Sequence, residues 1–130
     1  MNDRFKFRVW DKAFNLYWPY KDVKGNIAWL LFPDNDNINV VEIEQCTGLR
    51  DKNGKLIFEG DIVAKEFSDK PFSSKAKHKI KNCLVYWNKS GKFSIKYNSD
   101  DYRYYSTPHD SFIGDCEVIG NIHENPELLK

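Results

Sequence analysis

The stretch that decides the fold lies at residues 45–63 and reads QCTGLRDKNGKLIFEGDIV. Its turn residues Asp51-Lys52-Asn53-Gly54 precede a short apolar run, Lys55 to Phe58, and Gly accepts the positive φ that a tight hairpin turn requires. Glu59-Gly60-Asp61 then reverses the chain again before Ile62-Val63. The spacing predicts a β-hairpin followed by a further strand, with the carboxylate of Asp61 capping the second turn.

The same alternation of short strands and turns extends in both directions. Residues 4–10 alternate apolar with charged side chains at a period of two, which predicts a strand with one buried face. Residues 11–15 form a turn, and Pro19 confines the segment at residues 16–20 to an edge or a strand end. Further strands are predicted at residues 40–46, 62–65, 81–87, 92–97 and 116–122. Turns are predicted at residues 25–26 and 88–91, a loop at 33–37 and irregular structure at 100–110. Residues 27–32 form either a strand or a helical turn, and residues 126–129 form one helical turn.

No segment carries a sustained apolar repeat of helical period, and turn signals recur every eight to twelve residues or so. Aromatic residues make up 15% of the chain, and they suit the pleated surface of a sheet. The sequence therefore predicts a mostly-β fold, either a small barrel or a sandwich.

Composition limits the classes of function. The chain has 130 residues and a net charge of +1, so it has the length of one domain and no global field that attracts a polyanion. Mean hydropathy is -0.67, and no apolar run is long enough to span a membrane. Residues 1–8 lack the apolar stretch of a signal peptide, which favours a cytoplasmic location without membrane contact. The widely spaced Cys46, Cys83 and Cys116 predict reduced thiols.

Residues 65–81 form a basic window with six lysines against Glu66 and Asp69. Pro and Ser residues inside it predict a mobile loop. Alternating lysines there could present ammonium groups to phosphates on one side of an extended ribbon; they are Lys75, Lys77, Lys79 and Lys81. The other interpretation is a solvated loop whose lysines only keep the chain in solution.

Candidate chemistry elsewhere is weak. The segment at residues 34–37 lacks the spacing and the Gly of a calcium loop, and His123-Glu124 lacks the second His of a zinc helix. Cys116 with His109 forms a conceivable nucleophilic pair, but no residue marks an orienting group or an oxyanion hole. Glu59 with Asp61 is better explained as turn chemistry than as a catalytic pair. We therefore predict no catalytic residue, metal ligand or cofactor.

Three strings along the chain resemble one known family. They are KFRVWDK at residues 6–12, the string quoted above at 45–63, and CEVIGNIHENPEL at 116–128. Together they resemble the YopX family of phage and prophage proteins. The resemblance implies an all-β fold in which an SH3-like barrel or roll, residues 45–130, packs against N-terminal strands within residues 1–44 as one compact unit. It implies no activity and transfers no functional residue.

Three functional hypotheses remain. The leading one is a non-enzymatic binding or accessory module in the host cytoplasm during phage or prophage life, acting on a protein partner or on itself in a homo-oligomer. The alternative is nucleic-acid binding through the basic window. An enzyme of unknown class is the third hypothesis, which a deep pocket with convergent carboxylates, or Cys116 with a histidine, would favour.

Overall fold

The computed structural model describes residues 6–25, 41–68, 75, 78–87, 93–97 and 116–130 of the chain. Within these residues the fold is mostly β, as predicted, with two antiparallel sheets. The elements in chain order are β1 (Phe7–Asp11), β2 (Leu16–Tyr17), α1 (Tyr20–Gly25), β3 (Val41–Arg50), β4 (Leu56–Phe58), β5 (Asp61–Ser68), β6 (His78–Trp87), β7 (Phe93–Tyr97), β8 (Cys116–Asn121) and a 3-10 helix (Pro126–Leu129).

The first sheet has the order β2-β1-β3-β4. β1 runs antiparallel to β3, from Phe7 opposite Gln45 to Asp11 opposite Val41. The predicted turn at residues 11–15 is present, because the Asp11 carboxylate accepts the amides of Ala13 and Phe14 at 2.9 and 3.0 Å. A carboxylate that binds the amides of its own turn fixes the hairpin locally.

The second sheet has the order β7-β6-β5-β8 and curls into a half-barrel. β5 is its central strand, with Val63 opposite both Cys83 of β6 and Val118 of β8. Backbone hydrogen bonds connect the turns on either side of β4 to this sheet: Lys52 N donates to Cys116 O at 3.0 Å, and Gly60 N donates to Val85 O at 2.8 Å. The two sheets therefore meet along the turns that flank β4.

The apolar side chains form two clusters, since burial of apolar surface drives the packing. The larger cluster consists of Ile57, Val63, Cys83, Val85, Phe93, Ile95 and Cys116, with Leu49 and Val118 packed against it. The smaller cluster consists of Val9, Val23 and Val41, with Phe7, Trp18 and Ile43 packed against it. All three cysteines are buried, and none of them is bonded to another.

The β3–β4 hairpin is confirmed. Gly54 has φ +84, in the left-handed region that favours glycine. Asp51 is 6% exposed, and its Oδ1 accepts the amides of Asn53 and Lys55, each at 2.9 Å. Its Oδ2 accepts the amide of Val118 at 2.9 Å. One buried carboxylate therefore holds both the hairpin turn and the neighbouring strand β8.

The chain end also follows the prediction. Pro126 begins the 3-10 helix, where its missing amide proton has no intrahelical acceptor. Asn82 of β6 donates through Nδ2 to Leu128 O at 2.9 Å, which fastens the helix to the second sheet.

Helix α1 was not predicted, because the six residues Tyr20–Gly25 are too few to display a helical apolar period. Pro19 O accepts the amides of Asp22 at 2.9 Å and Val23 at 3.2 Å, so the chain coils immediately after the proline. Val23 is 2% exposed and holds the helix on the smaller core. The hairpin turn predicted at Gly25-Asn26 is wrong at Gly25, which ends the helix; Asn26 lies outside the described residues.

The loop predicted at residues 65–81 is wrong at both ends. β5 continues to Ser68, and β6 already begins at His78, because the two strands pair from Ile62 opposite Leu84 to Ser68 opposite His78. Ladder hydrogen bonds extend through the lysine-rich positions, and charge alone does not interrupt them. Residues 69–74, 76 and 77 lie outside the described part of the chain.

Four further predictions lie entirely outside the described residues. They are the strand or helical turn at 27–32, the loop at 33–37, the turn at 88–91 and the irregular stretch at 100–110. The boundary predicted between residues 44 and 45 falls inside β3, which pairs with β1 over its first half and with β4 over its second.

Among the described segments, no helix has the length and apolar character to cross a membrane.

Candidate binding groove at the junction of the sheets

Arg8 of β1 occupies the junction between the two sheets. Its Nε donates to Oε1 of Glu44 at 2.7 Å, and its Nη1 lies 2.7 Å from Oδ1 of Asp61. Its Nη2 donates to the backbone oxygen of Glu59 at 3.2 Å. The carboxylates are more deeply buried than the guanidinium, with side-chain exposures of 7% for Glu44 and 3% for Asp61 against 20% for Arg8. The guanidinium thus compensates two buried negative charges at once.

Aromatic rings frame this guanidinium. Its Cζ lies 4.6 Å from the ring centroid of Tyr17 and 4.9 Å from that of Phe58, within the range of cation–π attraction. The Tyr17 hydroxyl donates to Oε1 of Glu44 at 2.8 Å. Burial raises the pKa of Tyr17, so this hydroxyl keeps its proton and remains a donor.

His123 continues the network from the segment after β8. Its ring stacks on Trp10 with centroids 4.6 Å apart and planes 7° from parallel. Nε2 lies 3.3 Å from an oxygen of Glu42 and 3.3 Å from an oxygen of Glu44. This nitrogen is buried and makes no hydrogen bond within the described structure. A proton on Nε2 would place an N–H group between the two carboxylates.

Beside this network the surface opens into a groove with a volume of about 320 Å³. β3, the β4–β5 turn, β6 and the residue after β8 contribute its walls. The residues that line it are the acidic Glu42, Glu44 and Glu59, the apolar Ile43, Leu84, Val85 and Ile122, and Tyr86 and Gly60. The side chains of Ile43 and Val85 pack in the two apolar clusters. An apolar surface with a few polar groups is the usual lining of a ligand site.

Gly60 allows the groove to form. Its φ of +85 belongs to the left-handed region, and a Cβ built on it would overlap Oε2 of Glu44. Its amide donates to Val85 O at 2.8 Å, and its carbonyl accepts the amide of Ile122, also at 2.8 Å. Glycine is therefore required both for the turn and for the close approach of the turn to Glu44.

Burial makes the negative charge at this junction costly. It raises the pKa of Glu59, and nearby Glu44 adds to that effect, whereas the Gln45 amide, 3.0 Å from Oε1, opposes it. Burial likewise raises the pKa of Asp61, although Arg8 and the Phe58 amide stabilise its charged form. Carboxylates in such surroundings gain from any additional cation.

The described structure places the side chains of two of the four lysines predicted to contact nucleic acid. Lys75 is exposed, whereas Lys81 is half-buried on β6, on the same face as the core residue Cys83. Lys81 lies directly opposite Lys65, which is only 6% exposed. Lys79 belongs to β6 by its backbone, and Lys77 lies outside the described residues. Lys81 and Lys65 therefore point towards the inner side of the sheet and away from a solvent-facing ribbon.

The described residues contain no group of three His, Cys, Asp or Glu side chains arranged to hold a metal ion. Cys116 is 1% exposed, and His109, its proposed nucleophilic partner, lies outside the described residues. Burial raises the pKa of Cys83 to about 12, with Cys116 contributing. Asp61 caps its turn as predicted, because its Oδ2 accepts the Phe58 amide at 2.9 Å.

Sequence reasoning did not find the groove or its network. The alternation at residues 4–10 predicted one buried face for β1, yet Val9 on one face and Trp10 on the other are both buried, and Arg8 is half-buried. The available signal was Trp10 beside Arg8, since an aromatic next to a cation on a supposedly solvated face needs a cover. The residues that cover this face are Tyr17 and His123, and only the tertiary structure reveals them.

Comparison with known proteins decides the family. A family model described as YopX protein matches residues 6–130. The chain belongs to the YopX family. This YopX chain is also similar to the protein in "Crystal structure of protein EF1440 from Enterococcus faecalis", with a TM-score of 0.59, 28% identity, and coverage of 96% of this chain and 97% of the other. A search of curated proteins finds no match. Family membership is thus established for nearly the whole chain.

Proposed function

We propose that this YopX-family chain is a non-enzymatic binding module that receives a segment of a protein partner in the groove beside Glu44. The observation that carries the proposal is the groove itself, which is open to solvent and combines apolar walls with carboxylates. Apolar contacts supply affinity in such sites, and a few placed polar groups supply orientation. An accessory role in the host cytoplasm during phage or prophage life belongs to the same proposal.

The network under the groove supports a binding role. Glu44 is held by Arg8 and Tyr17, and Glu59 is held by the Gln45 amide. These contacts fix the polar walls before a ligand arrives, so little conformational freedom is lost when a ligand binds. Because Glu44 and Asp61 already compensate the Arg8 guanidinium, we assign them to structure and charge rather than to chemistry.

We also propose that the curled second sheet and the β3–β4 hairpin form an SH3-like roll, which would place the groove between connecting segments. The hydrogen bonds from Lys52 to Cys116 and from Gly60 to Val85 support this proposal.

A displayed library of random heptapeptides tests the binding role. We expect peptides enriched on the wild-type protein to lose binding to Ile122→Trp, because the indole fills the groove. Ile119→Trp is the matched control, since Ile119 and Ile122 are exposed to 37% and 38% but only Ile122 lines the groove. Enrichment that is equal on both variants, or absent from the wild type, would contradict the proposal.

Analytical sedimentation distinguishes self-association from binding of a separate partner. If a second copy of the chain occupied the groove, the wild type would sediment as an oligomer and Ile122→Trp as a monomer. That result would contradict the proposal that the groove receives a segment of a different protein. We expect both proteins to sediment alike.

Nucleic-acid binding remains the alternative hypothesis, and exposed Lys75 is the described residue that favours it. Binding through phosphates would fall steeply with salt concentration, and the slope would flatten when Lys75, Lys77, Lys79 and Lys81 are all replaced by Gln. An unchanged slope in that variant would remove the hypothesis.

A further inference from the structure

The charged residues around the groove are unbalanced. Among the described residues that line it, Glu42, Glu44 and Glu59 are acidic and none is cationic. Asp61 lies just behind them, bound to Arg8. Among the described residues, the cations in contact with these four carboxylates are Arg8 and Lys12, so the formal charge of this set is -2.

Internal compensation is weakest at the mouth of the groove. In the described part of the chain, the partners of Glu42 are the ammonium of Lys12 at 3.6 Å and His123 at 3.3 Å, and the Glu42 and Lys12 side chains are 48% and 45% exposed. An ion pair at that exposure contributes little. Glu59 binds the Gln45 amide, while burial raises its pKa. A cation entering here would meet negative charge that the described residues leave partly uncompensated.

The walls suit the rest of a basic side chain. Leu84 and Ile122 offer apolar surface to an alkyl stem, while the charged head group remains near the carboxylates. Tyr86 forms part of the wall, and its ring already attracts one ammonium, that of Lys96, whose Nζ lies 4.8 Å from the centroid. Arg8 shows the same mode of recognition within the chain, since its guanidinium lies between carboxylates and the rings of Tyr17 and Phe58.

We infer that the partner segment presents an arginine or lysine side chain, next to an apolar residue, to the carboxylates of Glu42 and Glu59. The inference rests on the proposed binding function and names the chemistry that the groove selects. Electrostatic complementarity of this kind discriminates between partners more than it adds raw affinity, and it weakens with salt.

Two synthetic bead libraries test the inference, one with the sequence X-X-Arg-X-X and one with citrulline at the centre, where X is any uncharged residue. Citrulline keeps the shape of arginine and lacks its charge. We expect fluorescently labelled wild-type protein to prefer the arginine beads by about tenfold at low salt, and Glu42→Gln/Glu59→Gln to lose that preference while still binding. Gln at residue 59 still accepts the Gln45 amide, so the fold is preserved.

The matched control is Glu117→Gln/Glu124→Gln, which removes the same charge from half-buried Glu117 and exposed Glu124, both outside the groove lining, and should keep the preference. Equal binding of arginine and citrulline beads, lost in Ile122→Trp, would overturn the inference and leave the proposed function standing. Binding to neither library above the Ile122→Trp background would overturn both.

Discussion

Arg8 and Asp61 form the ion pair that connects the two sheets, with Nη1 of Arg8 2.7 Å from Oδ1 of Asp61 and only 3% of the Asp61 side chain exposed. Glu44 shares the same guanidinium. The pair therefore anchors β1 and β3 to the beginning of β5, and the groove lies against this anchor. The predictions below test the anchor, the turn that closes the groove, and the groove.

Arg8→Ala should destabilise the fold by about 3 kcal/mol, because it leaves the buried carboxylates of Glu44 and Asp61 without their cation. Urea unfolding measures the loss. Lys12→Ala is the control: it removes an ion pair to Glu42 between side chains that are 45% and 48% exposed, and should change stability by less than about 1 kcal/mol. Similar losses in both variants would mean that the Arg8 pair does not anchor the sheets.

Gly60→Ala should lower the free energy of unfolding markedly more than Gly54→Ala. Both glycines have a positive φ, +85 and +84, so each alanine variant incurs about 1–2 kcal/mol of backbone strain. An added Cβ at residue 54 meets no atom within 4 Å, whereas at residue 60 it overlaps the Glu44 carboxylate. We expect a further loss of about 1–3 kcal/mol for Gly60→Ala. Equal free energies of unfolding for the two variants would refute the close approach of the turn to Glu44.

Stability should fall below about pH 4, and Asp51 should account for part of that fall. Burial opposes its charge, but the amides of Val118, Lys55 and Asn53 outweigh this and hold the pKa of Asp51 below its ordinary value. A carboxyl with a lower pKa in the folded state stabilises the fold above its unfolded pKa, and the contribution disappears as pH falls through the folded pKa. Asp51→Asn should therefore be less stable at pH 7 and show a shallower acid dependence. A pH profile parallel to that of the wild type would contradict this assignment.

The three thiols should not react in the native protein. Cys46, Cys83 and Cys116 are at most 1% exposed, and burial raises the pKa of Cys83 to about 12. Because the thiolate is the reactive form, Ellman's reagent at pH 8 should release no colour until urea unfolds the chain, and then three equivalents per chain. A thiol that reacts with the native protein as fast as free cysteine would revive the nucleophilic reading of Cys116.

Local features of the fold were accessible from the sequence. Gly54 and Gly60 marked turns because few other residues adopt their φ, and Asp61 was correctly assigned as a cap. Such signals act between residues a few positions apart, so the pattern of side chains along the chain contains them.

The features that were missed depend on distant contacts or on very short elements. Arg8 resembled a solvated residue because its partners Glu44 and Asp61 lie far along the chain. Helix α1 is stabilised by one buried side chain, Val23, more than by any periodic pattern. The inward orientation of Lys81 could have been predicted from the sequence. Lys81 and Cys83 are two positions apart on one continuous strand and therefore face the same side of the sheet.

The most direct test of the account is to map a bound peptide by amide chemical shifts. With ¹⁵N-labelled protein and the tightest heptapeptide from the displayed library, we expect the largest shifts at Glu42, Glu44, Gly60, Tyr86 and Ile122, and none of that size in Ile122→Trp. Shifts concentrated instead at the exposed Phe14 or at Lys75, with the groove amides unmoved, would contradict the groove as the binding site.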